Sequence, residues 1–171
     1  DNDLYGYIGN DILEGGKGND TLNGGYGDDT YVYSKGDGND IIIDGGGKDV
    51  LYFKDLGYND VQFFKQDSNL LIKVKSTEET IVIRNMLSHL PYKTFSFKFS
   101  DGTIRDSSNI NIAIVGDDQD NNLCGIFTEN TFIGGKGNDV LEGGYGKNTY
   151  IYHKGDENDI IYDWQGNSTI D

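Results

Sequence analysis

A nine-residue spacing of glycines and aspartates most restricts the folds open to this chain. Three consecutive segments stack at that period: Gly6–Glu14 (GYIGNDILE), Gly15–Asn23 (GGKGNDTLN) and Gly24–Val32 (GGYGDDTYV). After a two-residue insertion, Tyr33-Ser34, the period resumes with Lys35–Ile43 (KGDGNDIII) and Asp44–Tyr52 (DGGGKDVLY). Asp1–Tyr5 is the tail of an earlier unit, with Asn2 at its sixth position. A second array lies 119 residues downstream in the same register. It runs through Gly125–Ile133, Gly134–Glu142, Gly143–Ile151, the insertion Tyr152-His153, Lys154–Tyr162 and Asp163–Asp171. Between Gly15–Ile42 and Gly134–Ile161, 21 of 28 positions are identical, so the arrays are an internal duplication that keeps the insertion. Units of this length bury their apolar side chains only by stacking on their neighbours.

Each unit reads G-G-x-G-x-D-x-U-x, with U a large apolar residue. Glycines at positions one, two and four allow positive φ and a tight backbone turn. They are Gly6, Gly9, Gly15, Gly16, Gly18, Gly24, Gly25, Gly27, Gly36 and Gly38 in the first array, and Gly134, Gly135, Gly137 and Gly155 in the second. Such a turn aims carbonyl oxygens inward, and position six adds a carboxylate: Asp11, Asp20, Asp29, Asp40, Asp49, Asp139 and Asp159. Hard oxygen ligands at ~2.3–2.6 Å suit Ca2+, which takes six to eight of them in flexible geometry, better than magnesium with its strict octahedron. Positions seven to nine then form a short strand whose middle residue points into the core. That inward set is Leu4, Leu13, Leu22, Tyr31, Ile42 and Leu51, then Leu123, Phe132, Leu141, Tyr150, Ile161 and Ile170.

With several units in register, the pattern resembles the RTX (repeats-in-toxin) haemolysin-type calcium-binding repeat of Gram-negative exoproteins. The resemblance implies a parallel β-roll in which one unit makes half a turn and each ion is shared by loops two units apart. It pairs Asp11 with Asp29, Asp20 with Asp40, Asp29 with Asp49, Asn2 with Asp20, and Asp139 with Asp159. The arrays are not equivalent. The first carries aspartate at five of six sixth positions, whereas the second has Asn121, Asn130, Asn148 and Ser168 there. The second roll is therefore expected to bind fewer ions, more weakly.

From Phe53 to Ile114 the glycine pattern gives way to alternation. Val61–Phe64, Leu70–Val74, Thr80–Ile83 and Phe95–Phe99 read as strands, and Asp101-Gly102 as a hairpin turn to Thr103-Ile104. Asn85–Leu90 has room for a short helix before Pro91. On "GDGNDIII", "NLLIKV" and "FKFSDGTI" this stretch resembles the haemolysin-type calcium-binding-related region that accompanies RTX units. The expected architecture is all-β: two parallel β-rolls (1–52 and 115–171) flanking a mostly antiparallel β segment (53–114) with at most one short helix. The middle segment is expected to cap the first roll, since a parallel roll has open ends. Its aromatics Phe63, Phe64, Phe95, Phe97 and Phe99 fall at strand spacing and are assigned to the core.

The formal charge of -15, with 29 acidic against 14 basic residues, argues against nucleic acid and against anionic membrane surfaces. Self-repulsion opposes collapse of so acidic a chain, and divalent cations would relieve it. The single cysteine, Cys124, excludes an internal disulfide framework and a cysteine-based zinc site. No apolar run reaches membrane-spanning length, so no membrane insertion by this segment is expected. No signal-peptide pattern opens the chain, but both ends fall inside the repeat, which reads as an excised fragment. Gly-Gly-Lys-Gly lacks the serine or threonine of a phosphate loop, His89 and His153 have no partner motif, and no carboxylate pair is singled out for acid–base work. No catalytic residue is assigned, and no enzyme activity is expected. The resemblance implies a calcium-binding structural segment of a secreted toxin or adhesin, outside or on the surface of a Gram-negative cell. It would fold on calcium after type I secretion. The alternative is an adhesive module that meets a host-surface ligand through the central segment.

Overall fold

The computed structural model describes residues 1–88, 94–126, 129–164 and 168–171. His89, Pro91 and the end of the Asn85–Leu90 segment lie outside them. The chain divides into two compact units, Asp1–Ser107 and Ser108–Asp171. Both are stacks of parallel coils, so the fold is an all-β roll with almost no helix.

In the first unit the nonapeptides alternate between two sheets. Strands β1 (Asp3–Tyr5), β3 (Thr21–Asn23) and β5 (Asp40–Ile43) pair in parallel on one side; β2 (Ile12–Glu14), β4 (Thr30–Tyr33) and β6 (Lys48–Phe53) do so on the other. The register sets each U residue on the U residue two units away: Leu4 on Leu22 on Ile42, and Leu13 on Tyr31 on Leu51. Three-residue strands follow from the repeat itself, because the glycine turn takes up positions one to four and the carboxylate of position six hydrogen-bonds to the neighbouring loop, leaving positions seven to nine to pair. Leu13, Leu22, Tyr31, Ile42 and Leu51 are all buried.

Residues beyond 53 extend both of these sheets. On one side β7 (Val61–Gln66), β8 (Asn69–Val74) and β9 (Thr80–Ile83) form an antiparallel meander, and β9 joins β5 in parallel, setting Ile83 on Ile42. On the other, β10 (Thr94–Lys98) joins β6 in parallel, setting Phe97 on Leu51, and turns at Gly102 (φ +85) into the antiparallel β11 (Ile104–Asp106). β9 and β10 thus occupy the places of a next coil's two strands. Phe63, Phe95, Phe97 and Phe99 are buried, with Phe53 stacked on Phe99 at 4.9 Å and Tyr31 on Phe95 at 5.8 Å between ring centroids. Where at most one short helix was expected, the described residues hold two three-residue 3₁₀ turns, Tyr58–Asp60 and Met86–Ser88. The first is closed locally: the Asp60 N–H donates to Gly57 O and the Gly57 N–H to the Asp60 carboxylate.

The second unit repeats the scheme. β12 (Ile112–Val115), β14 (Asn130–Ile133), β16 (Thr149–Ile151) and β18 (Thr169–Ile170) form one parallel sheet; β13 (Asn122–Cys124), β15 (Val140–Gly144) and β17 (Ile160–Asp163) form the other. Its inward residues Phe132, Leu141 and Tyr150 are buried. Ile170, in the last coil with a neighbour on one side only, is 69% exposed.

Leu22→Ala, which empties a buried site between two coils, is expected to cost about 2–5 kcal/mol of the calcium-saturated roll's stability in urea unfolding. Ile170→Ala should change it by no more than about 0.5 kcal/mol.

Candidate metal centre

The repeat brings the sixth-position residues into two columns, one at each end of the strands. In each pair one carboxylate oxygen binds backbone. Asp20 Oδ1 accepts the Asn2 N–H at 2.6 Å, Asp29 Oδ1 that of Asp11 at 2.9 Å, Asp40 Oδ1 that of Asp20 at 3.0 Å, and Asp49 Oδ1 that of Asp29 at 3.1 Å. The second unit continues the rule, with Asp139 on Asn121 at 2.8 Å and Asp159 on Asp139 at 3.0 Å. The hydrogen bonds thus join the same loops that the family resemblance pairs around a shared ion. The insertion is absorbed outside the columns. Asp37 accepts the Ser34 N–H, and the Tyr33 hydroxyl donates to Gly38 O. Asp156, His153, Tyr152 and Glu157 reproduce this in the second unit.

The other carboxylate oxygen is left over. Oδ2 of Asp11, Asp20, Asp29 and Asp139 is buried with no hydrogen-bond donor. A buried anionic oxygen without a donor is costly, and a cation removes that cost. Each such oxygen lies over the position-one glycine of its own unit. A Cβ on Gly6 would fall 2.7 Å from Asp11 Oδ2, and one on Gly15, Gly24 or Gly134 would overlap the carboxylate of Asp20, Asp29 or Asp139. In these four units position one therefore needs glycine for space rather than for φ. Positive φ belongs to positions two and four: Gly16, Gly18, Gly25, Gly27, Gly36, Gly38, Gly135, Gly137 and Gly155, with Gly9 at position four of the first full unit. Gly27, Gly38 and Gly47 have a second reason to be glycine, because a side chain there would strike the carbonyl of Gly9, Gly18 or Gly27 one turn below.

Burial and charge act on these acids in one direction. Burial, joined by the negative charges of Asp20, Asp37 and Glu79, pushes Asp40 up from 3.8 to about 6. Burial also raises Asp29 and Asp159. Glu79, from the segment after the first roll, falls in pKa instead. Burial opposes the change, but hydrogen bonds from Thr77, the Gly36 N–H and Tyr33 outweigh it.

Two sets of residues escaped sequence reasoning. Position five carries a second ladder. Asn10 Oδ1 accepts the Asp28 N–H, Asn19 that of Asn39, Asp28 that of Lys48 and Asp120 that of Asn138, all at 2.8–2.9 Å. The recurrence of Asn or Asp just before the sixth position was its signal. The other is Asp44, at position one of its unit, whose carboxylate lies with those of Asp29 and Asp49 within 4.8 Å.

A parallel β-roll whose stacked loops carry columns of half-satisfied buried carboxylates is a divalent-cation-binding repeat. The sequence model of the RTX calcium-binding nonapeptide repeat (four copies) matches residues 5–37, 36–54 and 127–156, and the two arrays are RTX repeats. No curated protein matches the chain.

The raised carboxylates give a pH dependence opposite to the usual one. With calcium removed, Asp40 takes up its proton more readily folded than unfolded, so its contribution to stability is greatest at low pH and is lost as pH rises from about 4 through about 6. In chelator the residual far-UV β signal is expected to be larger at about pH 5 than at about pH 7, and in saturating calcium the urea midpoint should instead be lower at about pH 5 as protons compete with the ion.

Proposed function

We propose that this chain is a calcium-dependent structural segment of a secreted exoprotein, with 1–52 and 115–171 as rolls and 53–114 as the module that closes the first. The carrying observation is the set of buried, donorless Oδ2 atoms at Asp11, Asp20, Asp29 and Asp139. RTX repeats bind calcium, and these oxygens sit at the repeat's sixth position. The residues taken to hold the ion are the sixth-position aspartates with the glycine turns that leave room for them. The net charge of -15 adds to the demand for counter-ions. Repeat families of this kind are typically found in secreted proteins, and extracellular modules bind calcium at ~10⁻⁴–10⁻³ M. A chain that crosses an envelope before meeting millimolar calcium would stay unfolded until outside, which fits type I secretion and a toxin or adhesin parent. Among the described residues no helix is long and apolar enough to cross a membrane.

The second roll is read as the weaker binder. Asparagine amides stand where the first roll has carboxylates: Asn130 Nδ2 donates to Asn148 Oδ1 at 3.0 Å, and Asn148 Nδ2 to Asp163 at 3.5 Å. Asp139 and Asp159 carry what binding remains. Phe63, Phe95, Phe97 and Phe99 of the central segment are buried, which supports a capping role over an adhesive surface there.

A calcium titration followed by far-UV circular dichroism tests the reading. Little regular structure is expected in excess chelator, with cooperative gain of β signal near ~10⁻⁴–10⁻³ M calcium. A β spectrum already complete in chelator and unmoved by calcium would refute it.

A further inference from the structure

We infer that Asp44 joins Asp29 and Asp49 in a three-carboxylate calcium site, the tightest in the first roll; this rests on the calcium reading above. Apart from Asp163, its counterpart in the duplicated array, position one elsewhere in the repeat is glycine or lysine and offers no side-chain oxygen. At Asp44 it adds a third carboxylate, and among the described residues this is the group of three acids whose oxygens gather within 4.8 Å. Asp29 and Asp49 are fully buried and Asp44 half-buried.

The third carboxylate is held in place by the chain. Asp44 Oδ1 accepts the Gly46 N–H at 2.7 Å, and Oδ2 accepts the Tyr31 hydroxyl at 2.7 Å. That hydroxyl in turn accepts the Gly24 N–H at 3.0 Å. A second, independent observation points into the same space: Asp29 Oδ2 is buried and donorless. Asp29 Oδ2 and the Tyr31 hydroxyl both crowd the point where a Gly24 Cβ would sit. A fixed acid, its hydroxyl partner and a free carboxylate oxygen therefore converge between the loops at 24–29 and 44–49.

The duplication supplies an internal comparison. In the second unit Tyr150 donates to Asp163 Oδ2 at 2.8 Å, reproducing Tyr31 and Asp44. There, however, Asn148 and Ser168 replace Asp29 and Asp49, so the same scaffold carries one negative charge instead of three. The ordinary pairs of the first roll, Asp11 with Asp29 and Asp20 with Asp40, carry two. Affinity for calcium follows ligand charge and rigidity, and the Asp44 site leads in charge while being held by two hydrogen bonds.

The test is calorimetric titration of the calcium-stripped full chain with calcium alone, comparing wild type with Asp44→Asn, Asp44→Gly and Asp163→Asn. Wild type should show one ion taken up ahead of the rest. D44N and D44G should weaken that first step about tenfold without lowering the total number of ions, and D163N should leave it unchanged. D44G returns the position to the residue of neighbouring units, so it decides the matter if D44N does not fold, as judged by circular dichroism in saturating calcium. A first step unchanged in the Asp44 variants, or weakened equally in D163N, overturns this inference while calcium binding itself stands. Absence of calcium uptake by wild type overturns both.

Discussion

The structure depends on the divided duty of the sixth-position carboxylate. One oxygen accepts a backbone N–H from the loop one turn away and so fixes the stacking of coils; at Asp20, Asp29 and Asp139 the other is buried over a glycine with no donor to meet it. Because the acids recur with the coils, each additional coil adds a further negative charge to a column that already repels it. Three-residue strands with a single inward side chain per unit bury little apolar surface against the ordering of nine residues. Side-chain packing sets the register of the roll, and the like charges of the columns oppose its formation.

The same constraint explains how the columns end. Where β9 follows β5, the residue facing Asp40 is Ile81, and where β10 follows β6, the residue facing Asp49 is Phe95; both are fully buried. At the start of the second unit Ile112 faces Asn130 in the same way. Each column thus stops on an apolar side chain at the sixth position, while the U position goes on being filled by Ile83, Phe97 and Ile114. The core runs past the last carboxylate and the charge does not. A closing coil of this kind needs no ion of its own, and its turns need no glycine. That is why the nonapeptide pattern disappears from the sequence at residue 53 although both sheets continue.

What could be read from the sequence was whatever the period alone determines. The inward U residues and the strands at 61–64, 70–74 and 80–83 follow from spacing and alternation, which survive without knowledge of any neighbour, while the loop partners two units apart come from the family resemblance. What spacing could not show depends on atoms from the adjacent turn. Position-one glycines look like turn residues in sequence, yet they are small because Asp Oδ2 occupies the place of their side chain. Tyr7 and Glu157 adopt positive φ at positions two and four without being glycine, because stacked loops hold them there. The parallel joining of β9 and β10 to the roll was hidden by their hairpin partners β8 and β11, whose alternation reads as antiparallel sheet. Asp44 escaped because it departs from the consensus at a glycine position, and a consensus reading treats departures as loss rather than as an added ligand.

The second roll shows that the scaffold can exist with much of its charge removed. Asparagine at the sixth position keeps an acceptor for the backbone N–H, as Asn148 Oδ1 does for Asn130 at 3.2 Å, and replaces the orphaned oxygen by an N–H donor. That donor finds Asn148 Oδ1, Ile126 O or Asp163 within the roll, so at Asn130 and Asn148 the chain supplies a partner for the group that takes the place of the donorless oxygen. Gly143 lies against the Asn148 amide nitrogen as Gly24 lies against the Asp29 oxygen, so the same glycine space serves either chemistry. The duplicated arrays are therefore one backbone solution with two ways of satisfying the same buried atom. An aspartate leaves that atom without a donor, and an asparagine gives it a partner in the chain.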